Sequence, residues 1–168
     1  QKLHLINKLY ALGYLLHRHK DPSKAWCVFA MDNIITEEGE SHGGSGKSIC
    51  FGALKYLMKY DDLNGRNRKL TENPHIFEKV NEHTDYILID ECDRYFNFSY
   101  FFKSITGDLE VNPKNNKQYI IPFKKAPKFC ITSNYTLYQV DASTERRLLY
   151  AVFSDYYHYN SRETYNEH

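Results

Sequence analysis

Apolar positions along the chain fall into two kinds of run. Leu3, Leu5, Ile6, Leu9, Leu12, Leu15 and Leu16 recur at helical spacing, and Asp21-Pro22 follows as a stop. The other runs are short and dense. Residues 26–31, 86–89, 129–132 and 148–153 are almost continuously apolar. Such a run, bounded by polar residues, suits a strand buried on both faces of a parallel sheet. Between the strands, the pattern predicts a helix over 48–60 that ends near Asp61-Asp62-Leu63-Asn64-Gly65. Asn73-Pro74 opens a short helix through Val80, and residues 98–106 form another that ends at Gly107. Residues 109–111 and 119–121 flank the polar tip Asn112-Pro113-Lys114-Asn115-Asn116-Lys117, which reads as a hairpin. Strands alternating with helices predict an α/β fold with a mainly parallel central sheet, flanking helices and a protruding β-hairpin. The expected organisation is an N-terminal helix through residue 22, one core over 23–158 and a polar tail over 159–168.

Composition narrows the classes. The chain of 168 residues has room for one domain with a sizeable core. Lys and Arg nearly balance Asp and Glu, for a net charge of +1. An anionic partner must therefore be met by a local patch rather than a global field. Cys27, Cys50, Cys92 and Cys130 are widely spaced, with no C-x-x-C pair. Neither a disulfide framework nor a cysteine metal site is indicated, and a reducing cytosol is expected. No run is long and apolar enough to span a membrane, and no signal peptide is visible. The chain starts at Gln1 rather than Met and reads as part of a longer protein.

The chemistry concentrates in four places. Glu40-Ser41-His42-Gly43-Gly44-Ser45-Gly46-Lys47-Ser48 reads as a phosphate-binding loop. Gly43, Gly44, Ser45 and Gly46 let backbone N–H groups close around an anion. Lys47 reaches the β/γ-phosphates, and the Ser48 hydroxyl sits on Mg²⁺. The predicted helix after it adds its N-terminus. A Gly-Lys-[Ser/Thr] triplet arises by chance in roughly one chain in ten of this length. The extra glycines, the strand before and the helix after carry more weight than the triplet. Second, the strand 86–89 ends in Asp90-Glu91. Asp90 suits the Mg²⁺ shell, and Glu91 suits polarising a water that attacks the γ-phosphate. Third, the strand 129–132 runs on to Ser133-Asn134, where a side-chain amide can orient that water. Fourth, Arg146-Arg147 precede the last strand. An arginine reaching a neighbouring subunit's γ-phosphate would stabilise the transition state.

Taken in order, these motifs resemble the superfamily 3 helicase domain, an AAA+ P-loop ATPase found in replication proteins of the phage, poxvirus and prophage primase–helicase type. The resemblance runs from about Trp26 to Tyr157. Residues 132–134, Thr-Ser-Asn, are its most specific marker. The resemblance assigns Gly46, Lys47 and Ser48 to motif A, Asp90 and Glu91 to motif B, and Asn134 to the sensor. It assigns the segment from Lys103 through Gly107 to Lys117 to a DNA-binding hairpin region; Lys114 and Lys117 are the candidate phosphate contacts, with Lys103, Lys124 and Lys125 nearby. The arginine finger falls on Arg147, by its spacing to Phe153, or on Arg146. Ser41 departs from the pattern, standing where the loop's first glycine belongs. The stretch between the strand 26–31 and the loop is also long, so either an insertion sits there or the strand runs through Ile34-Ile35.

The resemblance implies ATP and Mg²⁺ as cofactors and a ring, usually a hexamer, with ATP at the subunit interfaces. It implies translocation on single-stranded or forked DNA, a primase domain elsewhere in the full-length chain, and a phage or prophage origin in the bacterial cytosol. Three other readings share parts of the motif set. They are an AAA+ ATPase that remodels protein or loads a helicase, a monomeric P-loop kinase, and a nucleotide-binding module without turnover.

Overall fold

Five of the strands pair in parallel, in the order β2-β3-β6-β1-β7. This is seen in a computed structural model that describes residues 2–33, 44–137 and 140–154. The elements, in chain order, are α1 (Lys2–Leu15), β1 (Cys27–Asp32), α2 (Lys47–Gly52), β2 (Tyr60–Asn64), β3 (Tyr86–Cys92), α3 (Phe102–Thr106), β4 (Leu109–Val111), β5 (Tyr119–Ile121), β6 (Lys128–Ser133), α4 (Ala142–Glu145) and β7 (Leu148–Phe153). β4 and β5 form a separate antiparallel hairpin. The α/β fold with a parallel sheet, flanking helices and a hairpin is therefore as the hydrophobic pattern predicts.

Side chains alternate across the sheet with period two, which divides the core in two. Cys27, Phe29, Ile87, Ile89, Phe129 and Ile131 face the layer built from residues 70–80, α3 and the hairpin. Val28, Ala30, Tyr86, Leu88, Cys130 and Ala151 face α1, α2 and the 3-10 turn Ala53–Tyr56. Because both faces are covered, the inner strands read as unbroken apolar runs.

Three local predictions are corrected. The helix expected over 48–60 is α2 followed by the 3-10 turn, and Tyr60 already belongs to a strand. Gly52 closes α2, where glycine weakens a helix by about 1 kcal/mol relative to alanine. Tyr56 and Leu57 beyond it are exposed, so no apolar face favours further turns. β2 itself was read as the end of that helix. Among the described residues it is an edge strand paired only with β3, and only Tyr60 and Leu63 of its five residues are apolar. The helix expected from Asn73-Pro74 through Val80 is a series of turns. There the Asn73 side chain accepts the His75 N–H at 3.0 Å, an alternative to helical pairing.

α1 lies along the other edge. Its buried residues are Ala11 and Leu15, while Leu3, Leu5 and Leu9 are exposed. Asn7 caps the open edge of β7, donating to Tyr150 O at 2.8 Å and accepting from Val152 N at 3.2 Å. Lys8 adds a bond to Val152 O. A side chain thus satisfies backbone groups that an edge strand leaves bare. Among the described residues, no helix is long and apolar enough to cross a membrane. The expected tail 159–168 lies outside the described residues.

Candidate functional site

The sheet order sets β3, β6 and β1 side by side, so their C-terminal ends meet at one rim. A cleft opens there, lined by Gly44, Ser45, Gly46, Lys47, Ser48, Ile49, Glu91, Thr132 and Asn134. The loop, the acidic end of β3 and the end of β6 therefore converge on one space. Gly46 caps α2 with φ 93°, a left-handed conformation that suits glycine. Ser41 and Gly43 lie outside the described residues, as does the Ile34-Ile35 alternative. β1 runs through Asp32, so the connection to the loop is long.

The centre of the site is Asp90. Its Oδ1 accepts from Ser48 Oγ at 2.8 Å and also from Thr132 Oγ1. The loop, β3 and β6 are thereby tied at one carboxylate oxygen. Thr132 Oγ1 in turn accepts the Glu91 N–H at 2.9 Å. Glu91 has φ 59°, and the β3/β6 register shifts between Ile89 and Cys92. A left-handed glutamate costs on the order of 1–3 kcal/mol, and such strain clusters at functional sites. The bulge turns Glu91 out of the ladder toward the cleft, where its Oε2 meets Arg66 Nε at 2.9 Å.

Gly65 allows this arrangement. Its N–H donates to Asp90 O at 2.7 Å, and a Cβ there would fall 2.5 Å from Cys92 Sγ and 2.7 Å from Asp90 O. Any larger residue would push the end of β2 away from the acids.

Lys47 is turned inward. It is 6% exposed, and its Nζ sits 2.5 Å from Asp32 Oδ2 and 3.0 Å from Ser45 Oγ. Asn134 lines the cleft from the end of β6. Arg147 is held within the chain itself: it donates to Ser143 O at 2.6 Å and stacks 4.4 Å over the Phe102 ring. Burial pulls its pKa below the ordinary arginine value. Arg146 is exposed. The hairpin lysines do not join the cleft. Lys114 and Lys117 are exposed at the tip, and Lys103 pairs with Glu110.

Three site residues escaped the sequence reading as individuals. Thr132 lay within the marker run 132–134, but its bridging of Asp90 and Glu91 depends on the register between β3 and β6. Asp32 and Arg66 carry no local signal, because each becomes relevant only through a contact made in three dimensions.

The donor set fits Mg²⁺, a hard cation that keeps most of its waters and takes few protein oxygens. Ser48 Oγ and the Asp90 carboxylate present such oxygens beside the loop. No protein-family model matches this chain, and no curated protein matches it. Among solved structures, it is similar to the A form apo structure of the NrS-1 C-terminal region, with a TM-score of 0.56 and 20% identity. The match covers 90% of this chain and 33% of that one, so this chain spans about a third of that structure's length. At this identity the likeness establishes a shared fold.

Proposed function

We propose that this chain is the ATPase core of a helicase motor of the superfamily 3 type, hydrolysing ATP at subunit interfaces to move along single-stranded DNA. The observation that carries the reading is the convergence on Asp90. A loop serine and a strand-end aspartate 42 residues apart in sequence meet at 2.8 Å, in a cleft that Glu91 and Asn134 also line. A structural loop has no need of that meeting, whereas a metal–phosphate site does. The glycine-rich loop would hold the phosphates through backbone N–H groups, with Ser48 and Asp90 holding Mg²⁺. The bound ion would neutralise charge on the transferred phosphoryl group. Glu91 would take the proton of the attacking water, and Asn134 would orient that water without competing for the proton. Between the two arginines, Arg146 is the better finger. It is exposed, whereas Arg147 is committed to Ser143 and Phe102.

The hairpin supports the nucleic-acid half of the proposal. It lies between the acidic strand β3 and the sensor strand β6 and exposes Lys114 and Lys117 at its tip. Lysines repeated around a ring would follow a phosphate backbone without reading sequence. Lys103 is the weaker contact, because Glu110 already neutralises it.

The test is phosphate release from ATP with and without single-stranded DNA, across a range of protein concentrations. A motor completed at subunit interfaces gives a specific activity that rises with concentration and again with DNA. A rise with concentration alone favours the remodelling ATPase. Full activity at the lowest concentration, insensitive to DNA, favours the monomeric kinase. Absence of phosphate release under all conditions favours a binding module.

A further inference from the structure

The contact between Lys47 and Asp32 has no place in the scheme above. A lysine that serves phosphates must present its ammonium to the cleft. Here the ammonium is inside the protein, bonded to the last residue of β1. Both partners are buried, Asp32 at 7% exposure and Lys47 at 6%. The pair is also incompletely satisfied, since Asp32 Oδ1 is buried and has no hydrogen-bond partner among the described residues. A buried pair built purely for structure gains from having every oxygen and proton matched. This one leaves an acceptor unused at the site's own edge.

We propose that Asp32 is a latch on the phosphate-binding lysine, and that nucleotide binds by exchanging the Asp32 carboxylate for its own phosphate oxygens. The proposal rests on the nucleotide-binding reading of the loop. Its chemistry is a swap between two anionic oxygen acceptors for one ammonium. The carboxylate holds the ammonium in the place that phosphate oxygens would take. It also works against the incoming ligand, because a carboxylate beside phosphate oxygens is a like charge in a poorly solvated place. Ser45, the second acceptor of Lys47, belongs to the loop itself, so withdrawal of the lysine also fixes the loop's hydroxyl inward. The latch makes Asp32 a positioning residue: it acts on the ligand through Lys47.

The test compares wild type with Asp32→Asn, which keeps shape and an acceptor oxygen but removes the charge. The readout is calorimetric titration with ADP, with and without Mg²⁺. The latch predicts that Asp32→Asn binds ADP on the order of tenfold more tightly, the scale of coupling between close charge pairs. Binding by the variant where wild type shows none supports it equally. Unchanged or weaker binding by Asp32→Asn, with measurable binding by wild type, overturns the latch and leaves the nucleotide reading intact. A purely structural role for Asp32 predicts that second outcome. Failure of both proteins to bind ADP overturns the nucleotide reading, and the latch with it. Asp32→Ser is carried alongside and read in the same way, in case the asparagine variant does not fold.

Discussion

Lysines are buried at both ends of the sheet, and the two ends treat them differently. At the cleft, Lys47 is paired with a carboxylate. At the opposite end, Lys20 and Lys128 are buried with no carboxylate among their hydrogen-bond partners in the described residues. Lys128 opens β6, the strand whose far end carries Thr132. Its Nζ donates to Tyr14 O at 2.5 Å, lies 3.2 Å from His17 Nδ1, and sits 4.0 Å over the Tyr14 ring. Lys20 reaches Pro127 O and lies 4.4 Å over the Phe123 ring. Carbonyl oxygens and ring faces hold an ammonium without a full counter-charge. Desolvation accordingly pushes both lysines down to about 8. The lesson is that burial alone does not mark a functional lysine. Lys20 and Lys128 tie α1 and its following turn to the sheet, whereas Lys47 is held at the cleft by an anionic group, the one that the proposed latch exchanges for phosphate.

The largest expected effect separates the two ends by function. Lys47→Met should lower ATP turnover by about 100-fold or more, the scale for losing one preorganised charge contact to the transition state. Lys128→Met keeps the aliphatic stem in place and should leave turnover within a few-fold of wild type. Phosphate release by both variants, after circular dichroism confirms that each is folded, makes the measurement. Equal loss in the two would erase the distinction drawn between the ends of the sheet.

A smaller effect is confined to the far end and is read as stability against pH. The folded-state values of Lys20 and Lys128, about 8, lie below the ordinary 10.5 of an unfolded lysine. Between these values the unfolded chain binds more protons than the folded one, so stability rises with pH. The gain is absent below about pH 8. Burial also pushes up the thiols of Cys27, Cys50, Cys92 and Cys130, and takes Tyr14 to about 12; these work in the opposite sense above their ordinary values of 9 and 10. The clean window is therefore pH 8 to 9. Thermal unfolding across it should show the melting temperature rising by a few degrees in wild type. Lys128→Met should flatten part of that rise. A melting temperature that falls steadily from pH 8 would show that neither lysine is held short of a counter-charge.

Much of the site was legible because its signals are local. An apolar strand ending in Asp90-Glu91, and another running on through Thr132 to Asn134, show their polar ends at the rim of a parallel sheet whatever the rest of the chain does. The hairpin was legible for a similar reason: two short β-prone runs flank a polar tip. β2 was not, because an edge strand needs only one neighbour and tolerates Asp61, Asp62 and Asn64. The contacts that hold Arg147 and leave Arg146 exposed were not legible either, since they depend on Phe102 and Ser143 lying beside one of the two. The inward turn of Lys47 depends on where β1 ends, which polar residues after an apolar run do not specify.

The smallest expected effect concerns Arg66 and tests whether the cleft's order comes from its exposed contacts or its buried ones. Arg66 pairs with Glu91 at 2.9 Å, but the two side chains are 66% and 49% exposed. Exposed pairs of this kind contribute about 0–1 kcal/mol. Glu91 is placed instead by its backbone: the left-handed φ, the bulge between β3 and β6, and the N–H bond to Thr132 Oγ1. Arg66→Ala should therefore change unfolding free energy in urea by less than about 1 kcal/mol. A substantially larger loss would mean that the exposed ion pair, rather than the Thr132 bridge, holds the acidic turn in shape. Gly65 would then matter chiefly for aiming Arg66 at Glu91, and the ordered end of the sheet would owe its geometry to its surface.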